Sequence, residues 1–195
     1  MKGKTHLMIG SAAGATVAAE YNLEVGLILI CSSAFGSLVP DADHPKSMLN
    51  QKILPIKNKM FKMIIYLIMG LGLIYLDSTS NKNFLRLMAI ALIITALSHH
   101  RGFTHSIFGL LFYSTAVYTG LKNYNLSGAY IGFVIGYASH LIADFITTGG
   151  IELLYPWEKN IKLPAGIKTG GFIENIILIS SSVYFLIKVM DVVRL

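Results

Sequence analysis

The sequence predicts an all-α protein: a polytopic membrane helix bundle of about six to seven hydrophobic helices, one domain over residues 1–195, with a metal site at the cytoplasmic helix ends. Three observations predict it. Hydrophobic residues make up 54% of the chain and charged residues only 13%, and the mean hydropathy is +0.62. Soluble domains carry about 25% charged residues, so 10 acids and 16 bases cannot clothe a water-facing surface. The apolar residues run in blocks without period-2 alternation, which selects helices over strands. The ionisable residues that interrupt those blocks recur at one end of each. Disorder, collagen-like repeats and an ordinary water-soluble enzyme are thereby excluded. The net charge is +6. Its lysines flank apolar runs, so the expected partners are anionic membrane lipids and not nucleic acid. The single cysteine, Cys31, excludes an internal disulfide and a cysteine-based zinc site.

Seven stretches are free of Asp, Glu, Lys and Arg: 5–19, 25–40, 63–76, 87–100, 102–121, 123–143 and 175–187. Only 102–121 and 123–143 reach the roughly 18 residues that read as a spanning helix unaided. Snorkelling lysines and arginines can lengthen the others. The first follows Lys2 and Lys4 and ends near Ala15, Ala18 and Ala19, as a signal peptide would. The second follows at once, however, and the first is read as a retained helix. The loop after the second stretch holds Lys46, Lys52, Lys57, Lys59 and Lys62, and the loop after the sixth holds Lys159, Lys162 and Lys168. The turn between the first two carries Glu20 and Glu24 instead. If all seven span, the basic loops share one face, which is expected to be cytoplasmic. The seventh stretch would then leave Lys188 outside, so it is expected to insert only in part. Gly149-Gly150, Pro156 and Pro164 make 149–171 a loop.

Against this background the polar residues stand out. Ionisable groups at membrane depth are costly and default to a functional reading. His6 opens the first stretch; Asp41, Asp43 and His44 follow the second; His99, His100 and His105 bracket the junction of the fourth and fifth; His140 and Asp144 close the sixth. Starts of odd segments and ends of even ones share a face, so all these groups converge on the basic side. In the sixth stretch Gly128, Gly132, Gly136, His140 and Asp144 form one i, i+4 ridge, and His6, Gly10, Gly14 and Ala18 form another in the first. Small residues at this spacing let helices approach closely in lipid. The two His-bearing ends should therefore meet in the bundle interior.

His140 and Asp144 lie one turn apart on one helix face. Pro40 and Pro45 are expected to hold Asp41, Asp43 and His44 in an extended segment, with both carboxylates on one side. Paired carboxylates repel, and a cation relieves them. In 98–106 Gly102 is expected to break one helix and Thr104 to N-cap the next. Histidine and carboxylate without cysteine suit a divalent metal, zinc first, with manganese or iron as alternatives. More than four donors leave room for one or two ions, and paired ions clamp a phosphoester in displacement. Arg101 fits a phosphate fork.

Pro40-Asp41-x-Asp43-His44-Pro45, His100-Arg101-Gly102-x-Thr104-His105-Ser106 and Gly136-Tyr137-x-Ser139-His140-Leu141-x-x-Asp144-x-x-Thr147-x-x-Gly150, ending near Pro156-Trp157, resemble the YdjM-like family of membrane-bound metal-dependent hydrolases. The opening Thr5-His6 resembles that family's start. The resemblance implies an integral membrane hydrolase that uses a metal. It implies His6, Asp41, Asp43, His105, His140 and Asp144 as ligands, with His44 and His100 close by. His99 is additional to the pattern, so either histidine of the pair can take the family's position. The helical His/Asp set is also loosely similar to zinc-dependent phospholipase C enzymes.

The function expected is hydrolysis of a phosphoester or lipid-headgroup bond through a metal-activated water. Asp41, Arg101 and His100 are the candidate catalytic residues, with Asp41 or Asp43 as general base. Two alternatives stand beside it. A metal-ion or proton transporter would place its ligands near the bilayer midplane, whereas these lie at helix ends. A non-catalytic metal-binding membrane protein shares every feature named. The expected location is the cell membrane, multi-pass, with the site facing the cytoplasm.

Overall fold

The computed structural model describes residues 1–124 and 126–194; Asn125, inside the expected sixth segment, lies outside them. The described residues form α1 (Gly3–Ala18), α2 (Leu23–Gly36), α3 (Asn50–Ile53), α4 (Lys59–Ser80), α5 (Asn83–Leu97), α6 (Ile107–Leu121), α7 (Ser127–Phe145) and α8 (Phe172–Arg194). Two 3-10 turns, Pro40–Asp43 and Phe103–His105, precede α3 and α6. The fold is all-helical, and the seven expected segments correspond to every helix except the single-turn α3.

Local chemistry sets the helix ends. The side-chain oxygens of Asn22, Asn58 and Ser106 accept from Val25 N (3.0 Å), Phe61 N (2.7 Å) and Gly109 N (3.0 Å), capping α2, α4 and α6. Asn81 closes α4 in the left-handed region, at φ 46°. The first turn of α1 has no side-chain cap of its own. Glu174 of α8 serves it instead, its Oε1 accepting from Lys2 N (2.5 Å) and the Thr5 hydroxyl (2.8 Å). A carboxylate there also faces the positive end of the α1 dipole.

The distribution of polarity is inverted relative to a soluble protein. Alongside Leu29, Phe133, Tyr137 and Ile151 the interior holds many Gly, Ala, Ser, Thr, His and Asp residues, while Ile68, Leu71 and Tyr75 of α4 and Ile179, Leu186 and Val193 of α8 are exposed. Such an outer surface suits lipid. The segments Leu23–Asp43, Lys59–Ser80 and Phe172–Val193 are long and apolar enough to cross a membrane, and Asn83–Leu97 and Ile107–Leu121 are shorter apolar helices.

At the centre α2 is pressed between α1 and α7. A Cβ at Gly132 would overlap the Leu29 carbonyl, and one at Gly136 the Ser33 carbonyl. On the other flank a Cβ at Gly10 or Gly14 would overlap Ser37 or Ser33, and the Ser33 hydroxyl donates to Gly10 O at 2.7 Å. The two small-residue ridges are therefore packing seams, and both close on α2. Around them α8 leans on α1, α6 on α7, and α4 and α5 form a pair that reaches the rest through α6 and the Pro40–Asp43 turn.

Three local expectations are corrected. Residues 40–43 form a 3-10 turn and not an extended strand, because proline at its first positions lacks only an N–H that a helix start leaves unpaired. Ser106, not Thr104, caps α6, because the Thr104 hydroxyl is drawn to Asp43 at 2.6 Å. The charge-free run 102–121 is not one helix: its first turn is 3-10 and the α-helix begins at Ile107. The seventh segment lies within the 23-residue α8, which runs on past Lys188. Lys188 and Asp191 pair across one turn at 3.1 Å, so its charges do not end the helix.

Candidate metal centre

Six of the seven long helices bring one end to a common point. His6 comes from the first turn of α1, Asp41 and Asp43 from the turn after α2, His100 and Arg101 from the loop after α5, His105 from the turn before α6, and His140 and Asp144 from the last turns of α7. Glu174 of α8 holds the start of α1 beside them. His6, Asp43, His105, His140 and Asp144 are buried.

The ring tautomers follow from the partners. His140 Nδ1 lies 2.7 Å from the Ser37 carbonyl, which can only accept, so Nδ1 carries the proton and Nε2 a bare lone pair. The Thr104 hydroxyl donates its one proton to Asp43 Oδ2. His105 Nδ1, 3.1 Å from the same Thr104 oxygen, must then be the donor, which leaves its Nε2 bare as well. These two Nε2 atoms face each other at 3.1 Å. Asp41 Oδ1 lies 3.5 Å and Asp144 Oδ2 3.7 Å from His105 Nε2. The His6 ring stacks on His140 with centroids 3.7 Å apart; its Nε2 is 3.1 Å from Asp144 Oδ1, and neither of its nitrogens has a hydrogen-bond partner. Lone pairs aimed at one another among carboxylates require a positive charge between them. The Met1 amine, too, sits on Asp144 Oδ1.

The donors fall into two adjoining sets, His6, His140 and Asp144 in one and Asp41, His100 and His105 in the other, with donor atoms in each within 4.8 Å of one another. Nitrogen and carboxylate oxygen without sulfur fit zinc, manganese or iron. Asp43 stands behind these sets. It meets His100 Nδ1 at 3.0 Å and His105 Nδ1 at 3.5 Å, where it orients both rings. A carboxylate on the far nitrogen of a ligating histidine fixes the tautomer and raises basicity.

Of the neighbouring histidines, His100 faces the cluster, whereas His99 turns outward to Glu152 at 2.9 Å. The His44 ring lies tilted at 54° beside that of His100, with ring centroids 4.8 Å apart. Arg101 adopts a left-handed φ of 72°, uncommon for a residue with a side chain. Its N–H donates to Asp43 Oδ2 at 3.2 Å, and its guanidinium reaches Gly150 O at 3.1 Å and approaches Asp144 Oδ2 at 3.7 Å. The loop that receives it is tied down by Ile151 and Ile161, which exchange backbone hydrogen bonds of 3.1 and 2.8 Å.

Sequence reasoning missed four contributors. Thr104 bridges Asp43 and His105. Tyr137, fully buried, donates to Thr104 O at 2.6 Å. Lys62, counted above as a loop charge, is buried with its ammonium on Asp43 O and Thr95 O, both at 2.8 Å. Glu174 anchors the start of α1. Tyr137 and Thr104 lie inside recognisable motifs, a signal that marks them; Lys62 and Glu174 carry none.

The sequence pattern of the family described as "YdjM inner membrane protein" matches residues 1–192. The chain is 32% identical over 191 residues to "Uncharacterized protein YvsG" of Bacillus subtilis (strain 168), covering 95% of this chain and 94% of that one. It is 28% identical over 145 residues to "Inner membrane protein YdjM" of Escherichia coli (strain K12), covering 73% of this chain and 57% of that one; the protein of the same name from Shigella flexneri matches equally. No solved structure matches.

Proposed function

The chain belongs to the YdjM inner membrane protein family, and on that premise we propose that it is a multi-pass, membrane-embedded, metal-dependent hydrolase of lipid phosphoesters, with its site on the cytoplasmic face. The observation that carries the reading is the pair of bare Nε2 atoms of His105 and His140, 3.1 Å apart among Asp41, Asp144 and His6. His6, His140 and Asp144 would hold one ion and Asp41, His100 and His105 a second. A divalent ion bound there supplies Lewis acidity toward a phosphoryl oxygen and lowers the pKa of water.

The chain's own residues do the rest. Asp41 is the least buried of the three site carboxylates, its side chain 14% exposed, and takes the proton from water as general base. Asp43 and the Ser37 carbonyl keep the imidazoles in the ligating tautomer. Arg101, pinned at Gly150 O with its other nitrogen turned toward Asp144, offers fixed positive charge to a phosphoryl oxygen at the edge of the cluster. The lysine-rich loops on the same face as the site support its cytoplasmic orientation.

Metal analysis of purified protein, beside hydrolysis of lipid phosphoesters and carboxyl esters, tests the reading. His140→Ala should lose both metal and hydrolysis. Arg101→Ala should keep its metal and lose phosphoester turnover. An Arg101→Ala protein with wild-type rates on every phosphoester removes the phosphate role. Metal flux into vesicles with no ester cleaved replaces hydrolysis by transport.

A further inference from the structure

Beside the cluster lies a cavity of about 620 Å³ with Asp41 and His100 on its wall. That volume is in the range of small-molecule sites. Lys2, Lys4 and Lys46 also line it, and Asp41, already committed to histidine, is its one acidic residue among the described residues. The three lysines are exposed, yet their backbones are fixed. Lys2 N is held by Glu174 Oε1 at 2.5 Å, Lys4 lies inside α1, and Lys46 donates to His44 Nδ1 (3.2 Å) while its carbonyl accepts from Gln51 (2.9 Å). Leu178 of α8 lines the cavity too, and its neighbours Ile176 and Ile179 are exposed on a helix long and apolar enough to cross a membrane. The cavity thus joins the cluster, a cationic mouth and an apolar flank.

We propose that this cavity is the headgroup pocket and that Lys2, Lys4 and Lys46 select a phosphate monoester on a diacyl lipid, the chemistry of a phosphatidate. This rests on the hydrolase reading and names its substrate class. A phosphate monoester carries a charge near −2 at neutral pH, which three ammonium groups match. A choline headgroup would bring its own cation against those lysines. Recognition of quaternary ammonium uses aromatic faces, and among the described residues no Phe, Tyr or Trp lines this cavity. The acyl chains would leave past Leu178 along α8.

Isothermal titration of detergent-purified protein in excess chelator reads binding without turnover. The probes are dihexanoyl phosphatidate, dihexanoyl phosphatidylcholine and inorganic phosphate. The phosphatidate should bind at least ten-fold tighter than the other two. Lys46→Gln should weaken it about five-fold, and the triple variant Lys2→Gln/Lys4→Gln/Lys46→Gln about a hundred-fold, from the worth of a lysine near an anionic surface. Lys122→Gln, at the far end of α6, should leave it unchanged. Equal affinity for inorganic phosphate overturns the lipid assignment. Equal affinity for phosphatidylcholine, an unaltered triple variant, or an equal loss in Lys122→Gln overturns the pocket. Because metal is stripped throughout, a wild-type protein that purifies without metal would end the hydrolase reading and leave these outcomes as they stand.

Discussion

Thr104 shows how much of the site rests on one hydroxyl. It donates to Asp43 Oδ2, fixes the proton of His105 on Nδ1, and its carbonyl takes the Tyr137 phenol. Thr104→Val keeps the shape and removes the hydrogen bond. Groups behind metal ligands are worth about 10–100-fold in affinity, and a loss of that size is expected, measured by chelator competition, with the helical content unchanged. An unchanged affinity would show that Asp43 orients His105 alone. The ligand-type residues themselves are legible in the sequence, because His6, His140 and Asp144 stand against apolar neighbours where ionisable groups are costly. The atoms that set their tautomers are not. The Ser37 carbonyl is a backbone group that every residue possesses, and only the fold aims it at His140. Lys62 reads as one more basic loop residue until α4 delivers it to two carbonyls.

Among the elements, α7 has the most to lose from a change in its seam. Gly136→Ala would drive a methyl group into the Ser33 carbonyl, and overpacking of this kind costs about 1–3 kcal/mol. Its melting temperature should fall, and metal occupancy with it, since His140 sits one turn further along the same ridge. Gly72 of α4 has nothing within 4 Å of its would-be Cβ, so Gly72→Ala should be neutral or stabilising by up to about 1 kcal/mol. Equal melting temperatures for the two variants would show that α2 and α7 are free to part. The ridge periodicity of α1 and α7 is visible in sequence because small residues recur every fourth position. That the glycines of both ridges close on α2, while only the His-bearing ends meet each other, is invisible, because α2 contributes backbone carbonyls and Ser33 instead of a glycine pattern of its own. The extent of α8 is hidden by Lys188 and Asp191, which read as termination until their pairing is seen.

For the molecule as a whole, the alternation of helices puts the loop before α4 and the turn between α1 and α2 at opposite ends. In a Cys31→Ser background, Lys57→Cys should react with a membrane-impermeant thiol reagent only in inside-out vesicles, and Glu24→Cys only in right-side-out cells. Labelling of both from the outside would break the proposed topology. The histidine–carboxylate cluster also joins the two ends of a long stretch of chain: Met1 touches Asp144, 143 residues on. At about 5–20 residues per second, roughly 7–30 s pass between the synthesis of the two. Through that interval a newly made α1 carries a His6 imidazole with neither its stacking partner nor its carboxylate. On the proposed metal-dependent reading, loading of an ion would wait for α7, so a chain interrupted before Ser127 would lack His140 and Asp144 and is expected to be degraded faster than the full chain in a pulse-chase measurement.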